Sequence, residues 1–557
     1  MKKVLLSAFC VFTAFTFAQE KNTFTGSFES NGQWYLNDKS YFDQYRNPTV
    51  HPEYPVRSNN YLLLNYKIKD TWTFGLQAEA YQDQALLNYN PKFKDNNIGL
   101  YFAQYKNNKI EITAGYFYEQ FGSGLLLRSW EDRALGINNA LRGGRIIFKP
   151  FSFVTLKTLY GQQRTGFDVS DGKIYGTDVD VSLSDAFKME KNNLSFGLSY
   201  VGRYEKVTVP NIDFNPTTNA FSGRVNYSND LFYISSEYNY KAKDVVVQQL
   251  GQMDVNFVKP GSALLLNTGF TKKGFGLDAT FRRLENMRFY SERLQSGNRF
   301  NDMIVNYLPG LTKQHHYNLA NIYVYQAQAG VLFNDVNKVQ AGEIGGQVDL
   351  FYNFKKGTSL GGKYGTKIAL NYSQYHGLSG DYYLYPPQDY KVDYLGFGEK
   401  YYSDANIEIT KKWNPKLQTI FSYINQYYNS DYLNTHGHIY TNIAGADVVY
   451  KFGKQKSVHI QAEHMWVNAD RKNWASLLAE FNLSSKYTIY ASDMYNYGND
   501  LDYNRTHYFT IGNAFRYKSL RAAVAYGRQR EGLICVGGVC RWVPASSGVS
   551  LNVNFAF

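Results

Sequence analysis

The nine residues that end the chain, VSLNVNFAF, place Val549, Leu551, Val553, Phe555 and Phe557 on one parity and Ser550, Asn552, Asn554 and Ala556 on the other. Successive side chains of an extended strand point to opposite faces, so this stretch builds one apolar wall and one small polar wall. The same period of two recurs from end to end. Phe24, Phe28, Trp34 and Leu36 alternate with Thr25, Ser27, Glu29 and Gln33. Phe275, Leu277, Ala279 and Phe281 oppose Asp278, Thr280 and Arg282, and Val458, Ile460, Ala462 and Trp466 oppose His459, Gln461 and Glu463. Helical spacing would scatter each set around a cylinder. Two-faced strands along the whole length require a β-sheet.

Composition says which kind. Aromatics make up 17% of the chain, led by 50 Tyr and 38 Phe. Past the leader, no window holds the ~20 apolar residues of a membrane-spanning helix. Alternation with abundant Tyr and Phe suits a transmembrane β-barrel, in which lipid-facing and lumen-facing residues alternate and aromatic girdles mark both interfaces. The opening MKKVLLSAFCVFTAFTFAQE reads as a signal peptide over 1–18, cleaved between Ala18 and Gln19, which leaves 19–557 as one barrel domain. Phe9 before Cys10 argues against a lipoprotein leader. A last strand ending in Phe557 resembles the terminal signal of bacterial outer-membrane barrels. It implies a multi-pass protein of the Gram-negative outer membrane, inserted by the outer-membrane assembly machinery.

Connections alternate between terse and long. KDTW at 69–72, NNK at 107–109, KPFS at 149–152, SND at 228–230, NPK at 414–416, FGKQK at 452–456 and SK at 485–486 are tight turns. Between them lie 37–57, 84–95, 122–143, 244–260, 286–342 and 377–400. Short periplasmic turns and long extracellular loops are the known asymmetry of such barrels. With the N-terminus in the periplasm, the pattern closes at about 24 antiparallel up-and-down strands, within a range of roughly 20–24. The segment 286–342 is the largest external insertion, and IYVYQAQ within it (322–328) reads as an extra hairpin. Alternation begins a few residues after Gln19, which leaves no room for a folded plug ahead of the first strand. Closure of the lumen then falls to inward loops, to crowded lumenal side chains, or to another protein.

Motifs for chemistry are sparse. GTSLGGKY at 357–364 ends in Tyr where a phosphate-binding loop needs Ser or Thr, and reads as a periplasmic turn. His315 and His316 are adjacent, so in an extended chain they point opposite ways and do not share a metal. Neither a Ser/His/Asp set nor a carboxylate pair stands out, and the chain reads as a non-enzyme without metal or cofactor. Cys535 and Cys540 are expected to pair in an oxidising compartment and to rigidify the last external hairpin, with metal binding or a free dithiol as the alternatives. The formal net charge of +12 suits basic rims against anionic lipopolysaccharide, or a lumen that prefers anions. Nucleic acid is not an expected partner.

The densest charge follows the fifth strand. In YFYEQFGSGLLLRSWEDRALGINNALRGGRI (116–146) the strand breaks at Gly-Ser-Gly, and Arg128, Glu131, Asp132, Arg133, Arg142 and Arg145 follow within a short span. Glu111, Thr113, Gly115 and Glu119 share the lumenal parity. Leu125, Leu126, Leu127, Trp130, Leu135, Ile137 and Leu141 are too apolar for an exposed excursion. The segment 122–143 is therefore expected to fold into the barrel mouth. Glu119, Arg128, Glu131, Asp132, Arg133, Arg142 and Arg145 then either line a passage or brace the wall. In position and style this resembles the third loop of porins, and it echoes the Arg-containing inward loops of alginate-exporter and related substrate-channel barrels.

Together, YFYEQFGSGLLLRSWEDRALGINNALRGGR and CVGGVCRWVPASSG resemble an outer-membrane barrel family of Bacteroidota. The resemblance implies the barrel and its location, and brings no substrate or catalytic residue with it. Two functions follow as expectations. One is a porin-like or substrate channel narrowed at 122–143. The other is a non-catalytic structural subunit of an outer-membrane secretion or assembly complex.

Overall fold

The computed structural model describes residues 22–43, 45–206, 215–247, 253–294, 301–332, 338–385, 388–433 and 437–557. The expected leader and its cleavage point at Ala18–Gln19 lie outside them. Twenty-four strands form one closed antiparallel sheet, each bonded to the next in chain order. The first strand, Thr23–Leu36, pairs with the second, Val56–Ile68, and also with the last, Ser546–Ala556. Phe28 stands opposite Phe555 and Trp34 opposite Val549. Gly26 and Phe557 exchange both backbone hydrogen bonds at 2.9 Å. Closure leaves no sheet edge, which is the only way a strand protein satisfies its backbone in hydrocarbon.

The parity read from the sequence sets the two faces. Phe24, Trp34, Leu277, Ile460, Trp466, Leu551 and Phe555 are exposed on the outside of the wall. Glu79, Arg164, Asp178, Arg203, Glu237 and Asp404 are buried within it. The apolar faces thus point away from the protein's own interior, the arrangement expected of a barrel whose solvent is lipid.

The tight turns fall at one end, at 69–71, 107–109, 152–153, 229–231, 413–416, 454–455 and 483–486, and the Gly-rich 355–365 turns at that end too. The other end departs from expectation in four places. Segments 244–260 and 377–400 are mostly ladder, not loop. Asp244 pairs with Lys259, and Gly380 with Val392. Strands Met253–Lys272 and Asp389–Lys412 are correspondingly long. Their β-branched and aromatic residues continue the hairpins beyond the wall, where polarity alone suggested a loop. Residues 166–167 connect two strands in the space of a turn. Ile322–Gln328 forms no hairpin, and the described residues of the 286–341 segment that contains it are not an external insertion: they fold inward.

Orientation of the wall is testable at one residue pair. Leu551→Arg, near the middle of the last strand and facing out, should cost about 2–4 kcal/mol in a lipid bilayer. Asn552→Arg, on the lumenal parity, should be close to neutral. Urea unfolding in phospholipid vesicles measures both.

Candidate functional site

The site is the interior of the barrel, and it begins where the fifth strand (Ile110–Phe117) ends. Gly122 and Gly124 take φ of +51° and +93°, turning the chain into the lumen. A Cβ at Gly122 would lie 2.7 Å from Glu237 Oε2, so any other residue would displace that carboxylate as well as strain a left-handed backbone. The Ser123 N–H donates to Glu237 at 2.8 Å. Leu126, Leu127 and Leu141 then pack with Phe117, Phe121, Leu159 and Ile174 on the inner wall. The Gly-Ser-Gly break is thus a device for laying an apolar loop against a polar lumen.

The charges of this loop meet one another or the wall. Arg145 pairs with Glu111 and, at 3.1 Å, with Glu119, which also accepts from Lys157 at 2.9 Å. Arg133 reaches Glu29 on the first strand, bonds Glu131 at 3.0 Å, and lies over the Tyr61 ring at 4.0 Å. Arg128 stacks over Tyr307 at 3.9 Å. Asp132 accepts the Leu135 N–H at 2.9 Å and shapes a turn. Arg142 does not join them. It pairs with Tyr116 on the parity opposite to Arg145, because alternation puts positions three apart on opposite faces.

Most of the filling comes from 286–341, which sequence reasoning placed outside. Arg293 and Arg203, both fully buried, share Glu205 and Asp244: Arg293 Nη1 lies 2.7 Å from Glu205, and Arg203 Nη2 donates to Asp244. Lys313 donates to Asn406 at 2.8 Å. His315 meets Asp404 at 2.8 Å and His316 meets Asp447 at 3.1 Å, so the adjacent histidines go to different strands. The backbone N–H groups of Asn318 and Leu319 donate to Glu463 at 3.0 and 2.8 Å. Tyr325 and the Gln328 N–H both donate to Glu343, which also pairs with Arg282 at 2.6 Å. Tyr317, Leu319, Tyr323 and Tyr325 pack with Tyr375, Tyr402, Ile443 and Trp474 of the wall.

A third loop locks the other two. Cys535 and Cys540 are disulfide-bonded between Gly532–Val536 and Val539–Val543. The hairpin tip accepts from Gly310 N at 2.7 Å and from Tyr307 Oη at 2.9 Å. Arg541 donates to the Leu135 carbonyl. Segments 118–140, 286–341 and 530–545 therefore form one interlocked plug. The available signal for the missed segment was its run of Met287, Phe289, Leu319, Tyr323 and Tyr325, the same apolar content that identified 122–143.

Among the described residues, cavities lie beside the plug, and two of them adjoin its charged loops. One of about 440 Å³ lies under the 118–140 loop, against Leu63, Phe102, Phe117, Gln77 and Gln104. Another of about 370 Å³ lies between the 314–324 stretch and the wall near Arg528 and Arg530.

Comparison with known proteins adds a family and a fold likeness. Residues 1–557 match the family described as "Family of unknown function (DUF6029)". No curated protein matches the chain. Among solved structures, the siderophore receptor PirA from Pseudomonas aeruginosa is 6% identical, with a TM-score of 0.41 over 97% of this chain and 81% of that one. The P pilus usher PapC translocation pore is 8% identical, at 0.42 over 96% and 99%. OpdQ from Pseudomonas aeruginosa is 12% identical, at 0.33 over 96% of each chain.

Two expectations follow, one for the inner wall and one for the plug. Arg164 and Glu79 form a bidentate pair at 2.8 and 2.6 Å with both side chains fully buried. Glu79→Ala should cost about 3–5 kcal/mol by stranding the guanidinium, whereas Glu79→Leu with Arg164→Met should recover most of it. Heat-dependent mobility on denaturing gels reads both. Asp302, in the loop, bonds Asn90, and burial pushes its carboxyl up to about 7 against the opposing pull of Asn90 and Arg541. A raised carboxyl favours the folded state fully below its ordinary value and loses that contribution as pH rises through about 7. Hydrogen exchange at 301–306, corrected for intrinsic rates, should therefore be faster at pH 8 than at pH 6, and Asp302→Asn should remove the difference.

Proposed function

The chain belongs to that family of unknown function, and we propose that it is an outer-membrane β-barrel channel held closed by its own loops. The observation that carries this reading is the belt of bonds between plug and wall. Arg133 reaches Glu29 on the first strand, Ser123 reaches Glu237 on Phe232–Val247, and residues 311–328 bond strands from Gly342–Phe354 to Lys456–Val467. Plug side chains such as Tyr317, Leu319 and Tyr325 are no more exposed than a soluble protein's core. Residues that dry do not line a wide aqueous passage, so solute movement requires the plug to shift.

Outward aromatics support placement in the outer membrane, with lipopolysaccharide at the rim and the barrel assembly machinery as the inserting partner. The charged loop at 122–143 serves in this reading as one third of a gate. A structural subunit of a secretion complex gains no observation of its own from the plug.

Conductance tests the gate. The full chain in planar bilayers should be nearly silent, and a variant with 301–332 replaced by a short Gly-Ser linker should give large, steady currents. A folded deletion variant that stays silent, or a wild-type barrel that conducts freely, would reject the closed-channel reading.

A further inference from the structure

The plug is not held evenly. Among the described residues, hydrogen bonds from 301–332 run to Gln163, to the strands from Gly342–Phe354 through Lys456–Val467, to Asn90 and Asp470 in two further connections, and to the other two plug loops. None runs to the strands Tyr487–Tyr495, His507–Tyr517 or Leu520–Gln529. Along that arc the wall meets the plug's apolar cluster through Tyr508 and Met494, without hydrogen bonds, and a cavity of about 370 Å³ lies in the seam. Its size falls within the ~300–1,000 Å³ of small-molecule sites.

The lining is mainly polar, with Val324, Met494, Leu533 and Ile534 as its apolar part. Gln314, Asn318 and Asn321 face it from the plug, and Ser492, Thr510 and Gln529 from the wall. Two arginines border it and no carboxylate does. Arg528 is already neutralised, bonding Asp38 at 2.7 and 3.1 Å. Arg530 is not. Its hydrogen bonds go to backbone carbonyls, Glu531 O at 3.0 Å and Asn321 O at 3.5 Å, and among the described residues no carboxylate pairs with it. The Glu531 carboxylate instead lies 3.7 Å from Arg471. Burial, reinforced by Arg471, lowers the Arg530 guanidinium to about 10, the signature of a cation short of counter-charge. Half-buried beside hydroxyls and amides, it offers a planar donor fork that matches a carboxylate or phosphate.

We propose that this seam is a binding site for a small, hydroxyl-rich solute bearing a carboxylate or phosphate, with Arg530 contacting the anion and the surrounding amides and hydroxyls contacting the neutral body. As the solute site of a gated channel the proposal rests on the reading above, but its test measures binding without current, so a silent bilayer and an empty site are separate results.

Isothermal titration of the full-length barrel in nanodiscs would use glucuronate, glucose 6-phosphate and glucose as probes. One or both anionic sugars should bind, identifying the carboxylate or the phosphate as the preferred group, and glucose should bind at least about tenfold more weakly, as loss of one charge-assisted contact predicts. Arg530→Gln should weaken the anionic sugars by a similar factor, with Arg530→Lys between it and wild type. Heat-dependent gel mobility reports whether each variant folds. Should Arg530→Gln fail to fold, Thr510→Trp fills the seam from the wall side and should abolish binding. The proposal is overturned if neither anion binds the folded wild type, if glucose binds equally well, or if folded Arg530→Gln or Thr510→Trp binds as wild type does.

Discussion

The backbone ladder between Thr23–Leu36 and Ser546–Ala556 is the constraint from which the remaining architecture follows. Hydrocarbon offers no partner to an unpaired N–H or C=O, so the first and last strands must meet. Meeting after 24 strands fixes the size of what they enclose. At ~4.8 Å between strands and a tilt of ~40°, the ring is roughly 48 Å across. Lumenal side chains cannot span such a width, so the interior must hold water, another protein, or more of this chain. Here the upper interior holds more of this chain. The long connections are inside because closure made a space that the wall could not fill.

What fills it had to carry polar groups, because many lumenal wall positions hold charges, among them Glu79, Asp178, Glu237 and Asp404. Loops presenting only Leu and Phe would bury wall carboxylates without partners, at several kcal/mol each. The loops instead bring hydrogen-bonding partners to carboxylates: Arg293 to Glu205 and Asp244, His315 to Asp404, His316 to Asp447. Traffic also runs the other way, since wall-borne Gln163, Tyr375 and Gln426 donate to the plug carbonyls of Ile304, Leu311 and Ala320. Such pairs add little net stability over apolar packing, yet removing one partner is severe. The plug therefore has a single docked geometry, while its apolar clusters around Leu126 and Tyr325 supply the favourable burial.

The wall was legible because its code is local. Parity at Phe24–Leu36 or Val549–Phe557 needs only neighbours two residues apart, and the closed count of 24 follows from the punctuation between strands. The inward course of 118–140 was legible from its leucines. The 286–341 segment carries the same signal, but spread among Pro, Gly and Asn, and its partners lie over a hundred residues away, as with Leu319 and Glu463. Length and polarity also misled at 377–400, where Tyr382 and Tyr390 continue a ladder beyond the membrane wall. Arg142 shows the limit within a correctly placed segment. Six nearby charges looked like one cluster, and strand alternation sends this one to the other face.

Uneven attachment bears on how a closed barrel of this kind can open. A plug pinned by equal bonds on every side would have to break all of them together, and the ion pairs alone make that prohibitive. This plug is pinned from Gly342–Phe354 to Lys456–Val467 and meets strands Tyr487–Gln529 across a cavity. If the barrel is the gated channel proposed above, displacement would begin at the seam, where no hydrogen bond of 301–332 to strands Tyr487–Gln529 must first be broken, with the strongly bonded arc as the hinge. The disulfide-bonded hairpin sits above that seam, joined to Tyr307 and Gly310 at its tip. It is continuous with the two strands that flank it, so any load on this hairpin acts on the plug at its loose side.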